Sequence, residues 1–240
     1  KDSIANTITE AYVGVGCTQM VGVSISAVLE PSPTIKFKTD DPAIFRFVQS
    51  GSVVSDVTLG NGGTMTITGI VAGVTNISAW GPDSGIYSIT CGVIKVTCVD
   101  VSNMILTNAY CQKGVVDTSR VDEVQSETNT LYLCESNGMA QMLISATWAP
   151  TNVPANKFRW EILLTNGTAT TQWSPTNTAA FASNSVSVTW TNKLDTNGQI
   201  NREFVVNAWF DNDGDGKYTS TEPHRELSAV VVDAPWLMLT

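Results

Sequence analysis

The stretch WFDNDGDGKYTSTEP, residues 209–223, places the carboxylates of Asp211, Asp213, Asp215 and Glu222 in one short segment. Like charges at this spacing repel strongly unless a cation sits among them. Alternate acidic side chains converge on one point when the backbone curls, and Gly216, directly after Asp215, permits the sharp turn. The carbonyl of Lys217 adds an oxygen, Thr219 ligates directly or through water, and Glu222 closes the far side with both carboxylate oxygens. Together they offer the roughly six to eight hard oxygens that Ca²⁺ takes. Calcium is therefore the expected ligand of Asp211, Asp213, Asp215, Lys217, Thr219 and Glu222. The alternative is an acidic hairpin turn that holds no ion.

These residues fit D-x-[DN]-x-[DN]-G-x5-E in full, and the segment resembles the calcium loop of EF-hands. Its flanks do not follow that family. EFVVNAWF (203–210) is short, β-branched and aromatic, which favours a strand over a helix. Pro223 opposes a helix leaving the loop, and ELSAVVV reads as a second strand. Residues 211–222 are thus expected to join two strands of a β-sandwich.

Other chemistry is thinly represented. His224 is the sole histidine, GPDSG has the wrong spacing for a nucleophile elbow, and no phosphate-binding glycine motif is present. The bland reading of His224 is a surface residue at a strand start. Trp160, Trp190 and Trp209 lie in alternating segments and are expected in the core. Trp173, in the polar stretch TATTQWSPTNT, is the candidate for an exposed platform on which a glycan stacks. Outside the loop the acids lie singly or in turns, so no paired-carboxylate site for glycoside hydrolysis is recognisable.

The elements that must position these residues are short and alternating. TIKFKTD, AIFRFV, TMTITGIV, NISAW, GIYSIT and VIKVTCVDV occupy the first half. TLYLCES, AQMLISATW, KFRWEILLT, SVSVTW, EFVVNAWF and LSAVVV occupy the second. Runs rich in Val, Ile, Thr and aromatics, bounded by turn residues, predict half-buried antiparallel strands and an all-β fold. A break is expected between Val101 and Asn108, before the polar stretch CQKGVVDTSRVDEVQSETN. It divides the chain into two tandem immunoglobulin-like sandwiches, 1–101 and 102–240, with the acidic loop in the second.

TGIVAGVTNISAW (68–80), GVIKVTCVDV (92–101) and IKFKTDDPAIFRF (35–47) carry a family likeness. With its Thr-Gly turn, second glycine and Val-rich final strand, the first domain resembles the bacterial immunoglobulin-like domain group 2 family. Phe37 stands where that family more usually has Trp, and the insertion VQSGSVVSDVTLGNGG departs from its pattern. The resemblance implies a spacer or adhesive sandwich of exported proteins, without catalysis of its own.

The totals narrow the setting. Of 240 residues, 42% are hydrophobic and 15% charged, which suits globular domains with filled cores. The net charge of −9, with basic residues scattered singly, makes nucleic acid and anionic membrane surfaces unsuited partners. No apolar run approaches the roughly 18 residues that cross a bilayer as a helix. The five cysteines form no CxxC pair; Cys111 and Cys134 flank one segment, and Cys17 has Cys91 and Cys98 as candidate partners. The expected protein is a non-enzymatic, calcium-stabilised spacer, adhesin segment or filament subunit at the cell surface or secreted, with self-association or a surface glycan as partner. The alternative is a carbohydrate-binding module or accessory part of a polysaccharide-active enzyme.

Overall fold

The computed structural model describes residues 10–22, 34–60, 63–80, 90–112, 115–123, 130–135, 137–175 and 179–233. Most of the run GIYSIT falls outside them. The chain forms two compact units. The first comprises Lys1–Asp100 with Ala149–Val153 and Thr219–Pro223; the second comprises Val101–Trp148, Pro154–Tyr218 and His224–Thr240.

The first unit is built from β1 (Glu10–Gly14), β2 (Thr18–Gly22), β3 (Ile35–Thr39), β4 (Phe45–Gln49), β5 (Ser52–Val54), β6 (Asp56–Leu59), β7 (Thr64–Gly69), β8 (Gly73–Trp80) and the first part of β9 (Thr90–Gln112). One sheet runs β6-β3-β8-β9-β1 and the other β2-β7-β4-β5. All pairs are antiparallel except β1 with β9, which is parallel, Glu10 facing Lys95 through Gly14 facing Val99. Strand β3 shows why the alternation folds this way: Ile35, Phe37 and Thr39 are buried while Lys36 and Lys38 face out. Val13, Phe37, Ile77 and Val96 of one sheet share a core with Val21, Phe45, Phe47, Met65 and Ile67 of the other. Burying each large apolar side chain contributes about 1.5–3 kcal/mol, so this double layer holds the sandwich together. The segment expected as an insertion is part of the fold, since it supplies β5 and β6, and β6 completes the sheet edge beside β3.

Strand β9 does not end where the polar composition predicts a break. It continues to Gln112, giving residues 90–100 to the first unit and 101–112 to the second. The polar stretch after it forms β10 (Val115–Glu123), a hairpin partner of β9. The second unit adds β11 (Thr130–Glu135), β12 (Met139–Ala149), β13 (Phe158–Leu164), β14 (Trp173–Ser174), β15 (Ala179–Ala180), β16 (Ser185–Thr191), β17 (Glu203–Phe210) and β18 (His224–Asp233). Its sheets are β14-β16-β12-β9 and β11-β18-β17-β13-β15. Aromatic rings bridge the two layers: Trp148 stacks on Phe158 at 3.9 Å and Trp173 meets Phe204 edge-on at 5.3 Å. The fold is all-β, two β-sandwiches, as the alternation predicts.

Cys17 and Cys98 are buried thiols in no disulfide, and each donates to a backbone carbonyl, Thr221 and Ile44 respectively, at 3.2 Å. Cys134 is also free, and exposed. The pairings of Cys17 with Cys98 and of Cys134 with Cys111 are therefore not made. A small apolar role accounts for the two buried thiols.

Candidate metal centre

Strands β17 and β18 pair from Glu203–Val230 to Trp209–His224, so the acidic loop is their hairpin connection. Its first residue is fixed at the base. The Asp211 N–H donates to the Lys157 carbonyl at 3.0 Å, and its carboxylate pairs with the Arg159 guanidinium of β13. Successive carboxylates then wind the backbone around themselves. Asp211 Oδ1 accepts from the Gly216 N–H at 3.3 Å, Asp213 Oδ1 from Asp215 at 3.0 Å, and Asp215 Oδ1 from Lys217 at 2.7 Å. This curl needs left-handed backbone at Gly214 (φ 77°) and Gly216 (φ 74°). At Gly216 a Cβ would also lie 3.1 Å from the Arg159 Cζ, so a side chain there presses the guanidinium to shift by a few tenths of an ångström.

The curl brings together one carboxylate oxygen each from Asp211, Asp213 and Asp215, all within 4.8 Å of one another. Oxygens on opposite sides of a calcium ion, each about 2.4 Å from it, stand about 5 Å apart. Oxygen-only donors at this separation fit the ion. Asp211 is buried, while Asp213 and Asp215 are exposed. Lys217 is exposed in the same loop. Thr219 and Glu222 belong to the segment that groups with the first unit. There the buried Glu222 accepts the Thr219 N–H on Oε2 at 3.1 Å, and the Thr219 hydroxyl lies 3.1 Å from that of Thr221.

Two participants have no signal in the loop motif. Arg159 lies 52 residues before Asp211 in the chain yet supplies its counter-charge. Tyr218 packs edge-on against Trp209 at 5.7 Å and against His224 at 5.2 Å, bracing the loop on the paired strand ends. The proline and aromatic content of the flanks hints at such packing but does not specify it. The ring of His224 is thereby engaged with Tyr218.

Trp173 is not an exposed platform. It is 1% exposed, lies opposite Trp190 in the register of β14 and β16, and packs on Phe204. Its polar neighbours Thr170 and Gln172 are buried with it, the Gln172 side chain donating to the Lys193 carbonyl at 3.0 Å and accepting the Asn201 N–H at 3.1 Å. Trp160, Trp190 and Trp209 are each at most 1% exposed, in line with their alternating context.

No family model matches the chain, including that of the bacterial immunoglobulin-like group, and no curated protein matches it significantly. Solved structures do align over nearly its whole length. Domains 5-6 of the S-layer protein SbsC align at 13% identity with a TM-score of 0.29, covering 97% of this chain and 98% of that one. The Clostridium thermocellum CbhA fibronectin(III)-like modules align at 12% and 0.33, covering 97% and 94%. The D00-D0 domain of Intimin aligns at 14% and 0.35, covering 96% and 98%. Scores of this size assign no function.

Proposed function

We propose that the chain is a non-catalytic structural or adhesive module of a cell-surface or secreted protein, with one calcium ion stiffening its second sandwich. The observation that carries this reading is the cluster of three aspartate oxygens within 4.8 Å in the hairpin between β17 and β18. Asp211, Asp213 and Asp215 would hold the ion, with the Lys217 carbonyl, and the loop motif adds Thr219 and Glu222. The ion's work would be to offset the repulsion of the aspartates and keep the loop in one shape. The described tryptophans of the second sandwich support the structural side of the reading, because all five are buried in packing rather than offered to a ligand.

Binding only the folded state stabilises it by RT ln(1 + [L]/Kd). At millimolar calcium and an extracellular-type Kd of about 10⁻⁴ M this is about 1 kcal/mol. Calorimetric titration of chelator-treated protein, with the melting temperature followed in parallel, tests it. Saturable binding that Asp213→Ala abolishes is the expected result. A chelated protein that takes up no calcium and melts at the same temperature with or without it would overturn the reading.

A further inference from the structure

In register across β13, β17 and β18 stand Glu161, Asn207 and Glu226, on the face opposite the aromatic core. The outward face of an antiparallel sheet is ordinarily solvated. Here Glu161 is 7% exposed and Asn207 only 2%, while Glu226 is exposed. The Asn207 Nδ2 donates to Glu161 Oε1 at 3.0 Å, and this bond fixes the amide's orientation, since the flipped amide would set two acceptors against each other. Asn207 Oδ1 is then buried with no hydrogen-bond partner. Among the described residues Glu161 makes no ion pair, and the basic side chain two positions away on its face, Arg159, pairs with Asp211. A buried carboxylate without a counter-ion sits beside a buried amide oxygen without a donor, and both deficits are relieved by a positive charge that accepts oxygen ligands.

We propose that Glu161 and Asn207 form a second site for a hard divalent cation, calcium foremost, separate from the acidic hairpin. Glu161 contributes the carboxylate oxygen not bonded to Asn207, Asn207 contributes Oδ1, and waters complete the shell. Glu226, the next residue of the row, is the further carboxylate within the same face. Carboxylate and side-chain amide oxygens are the donors that calcium takes, and neither suits a softer metal. The site requires no ion in the Asp211 loop, so it stands or falls by itself.

Terbium, a hard cation that reports indole proximity by sensitised luminescence, and calcium calorimetry on the chelator-treated full chain test this. Trp209, two residues from Asn207 on the same face of β17, is the expected sensitiser. With both sites present the chain binds two ions, Asp213→Ala and Glu161→Gln each bind one, and the double variant binds none. Glu161→Gln keeps the side chain's size and is checked for folding by circular dichroism. If Glu161→Gln alone abolishes binding and Asp213→Ala does not change it, this site holds and the loop reading fails. If Glu161→Gln leaves stoichiometry and affinity within twofold of the parent, the proposal is overturned. That result assigns the orphan atoms, Asn207 Oδ1 with the buried Trp209 Nε1, to a bridging water.

Discussion

Two partners claim the carboxylate of Asp211, the Arg159 guanidinium and the proposed calcium. Arg159 already offsets part of the loop's charge, so Arg159→Gln leaves Asp211 buried and uncompensated. Loss of that charge-assisted bond should cost about 1–3 kcal/mol without calcium. Saturating calcium should recover part of it, as chemical denaturation in chelator and in calcium will register. Trp173→Ala is expected to cost about 3–5 kcal/mol, the range for emptying an aromatic core position, whatever glycan is present. An unchanged denaturation midpoint would contradict its burial. Burial also pushes the Cys98 thiol from its ordinary 9.0 up to about 12, with a backbone hydrogen bond from Ile70 pulling the other way. Between those values the unfolded chain releases the thiol proton while the folded chain keeps it, so stability falls as pH rises. Denaturation midpoints measured from pH 8 to 11 should decline less steeply in Cys98→Ala. Mass-spectrometric mapping of alkylation at neutral pH should find Cys134 modified and Cys98 protected.

The connection between β16 and β17 shows what a single carboxylate does for an element. Asp195 Oδ1 accepts the N–H groups of Gln199 and Asn197, and Oδ2 accepts the Asn201 side chain, each at 2.8 Å. These bonds, that from Gln199 foremost, hold its pKa below the ordinary 3.8. Their contribution is present above the ordinary carboxylate value and disappears as pH falls through the lowered one. Asp195→Ala should accelerate hydrogen exchange at the Asn197 and Gln199 amides while leaving β16 and β17 protected; uniform protection would contradict the role. Much of the element layout was readable from alternation, as in β3, where lysine and apolar residues trade places with period two. Strands β5 and β6 were not, because three or four residues do not establish a period and their Gly- and Ser-rich surroundings read as an insertion. Nor was the length of β9, since the adjacent exposed residues Ser102 and Asn103 interrupt the alternation where the chain passes from one core to the next, although the strand runs on. The local spacing of Asp211, Asp213 and Asp215 marked those aspartates as a cluster, whereas Arg159 lies on another strand, and only folding brings it there. Trp173 misled because its polar neighbours Thr170 and Gln172 are themselves buried, their hydrogen bonds met inside the fold.

For the whole molecule, the division into two cores offers a way to locate any effect of calcium. Trp148, Trp160, Trp173, Trp190 and Trp209 are buried in the second unit, while Trp80 lies on β8 of the first, so indole emission is weighted towards the second unit. Added calcium should move the fluorescence-detected melting transition by more than any transition detected by circular dichroism alone, which sees both units. Equal shifts by the two probes would mean that the units unfold as one. A different consequence attaches to the parallel pairing of β1 with β9, reinforced by the 2.7 Å bridge from Lys95 to Glu10. β1 is the first described strand of the first unit, β9 carries the chain on into the second, and the two strands point the same way. A pull on the chain from both sides therefore drags them past each other along their length. The rungs from Glu10 to Gly14 bear the load together rather than opening one at a time, so the sandwich meets tension in shear.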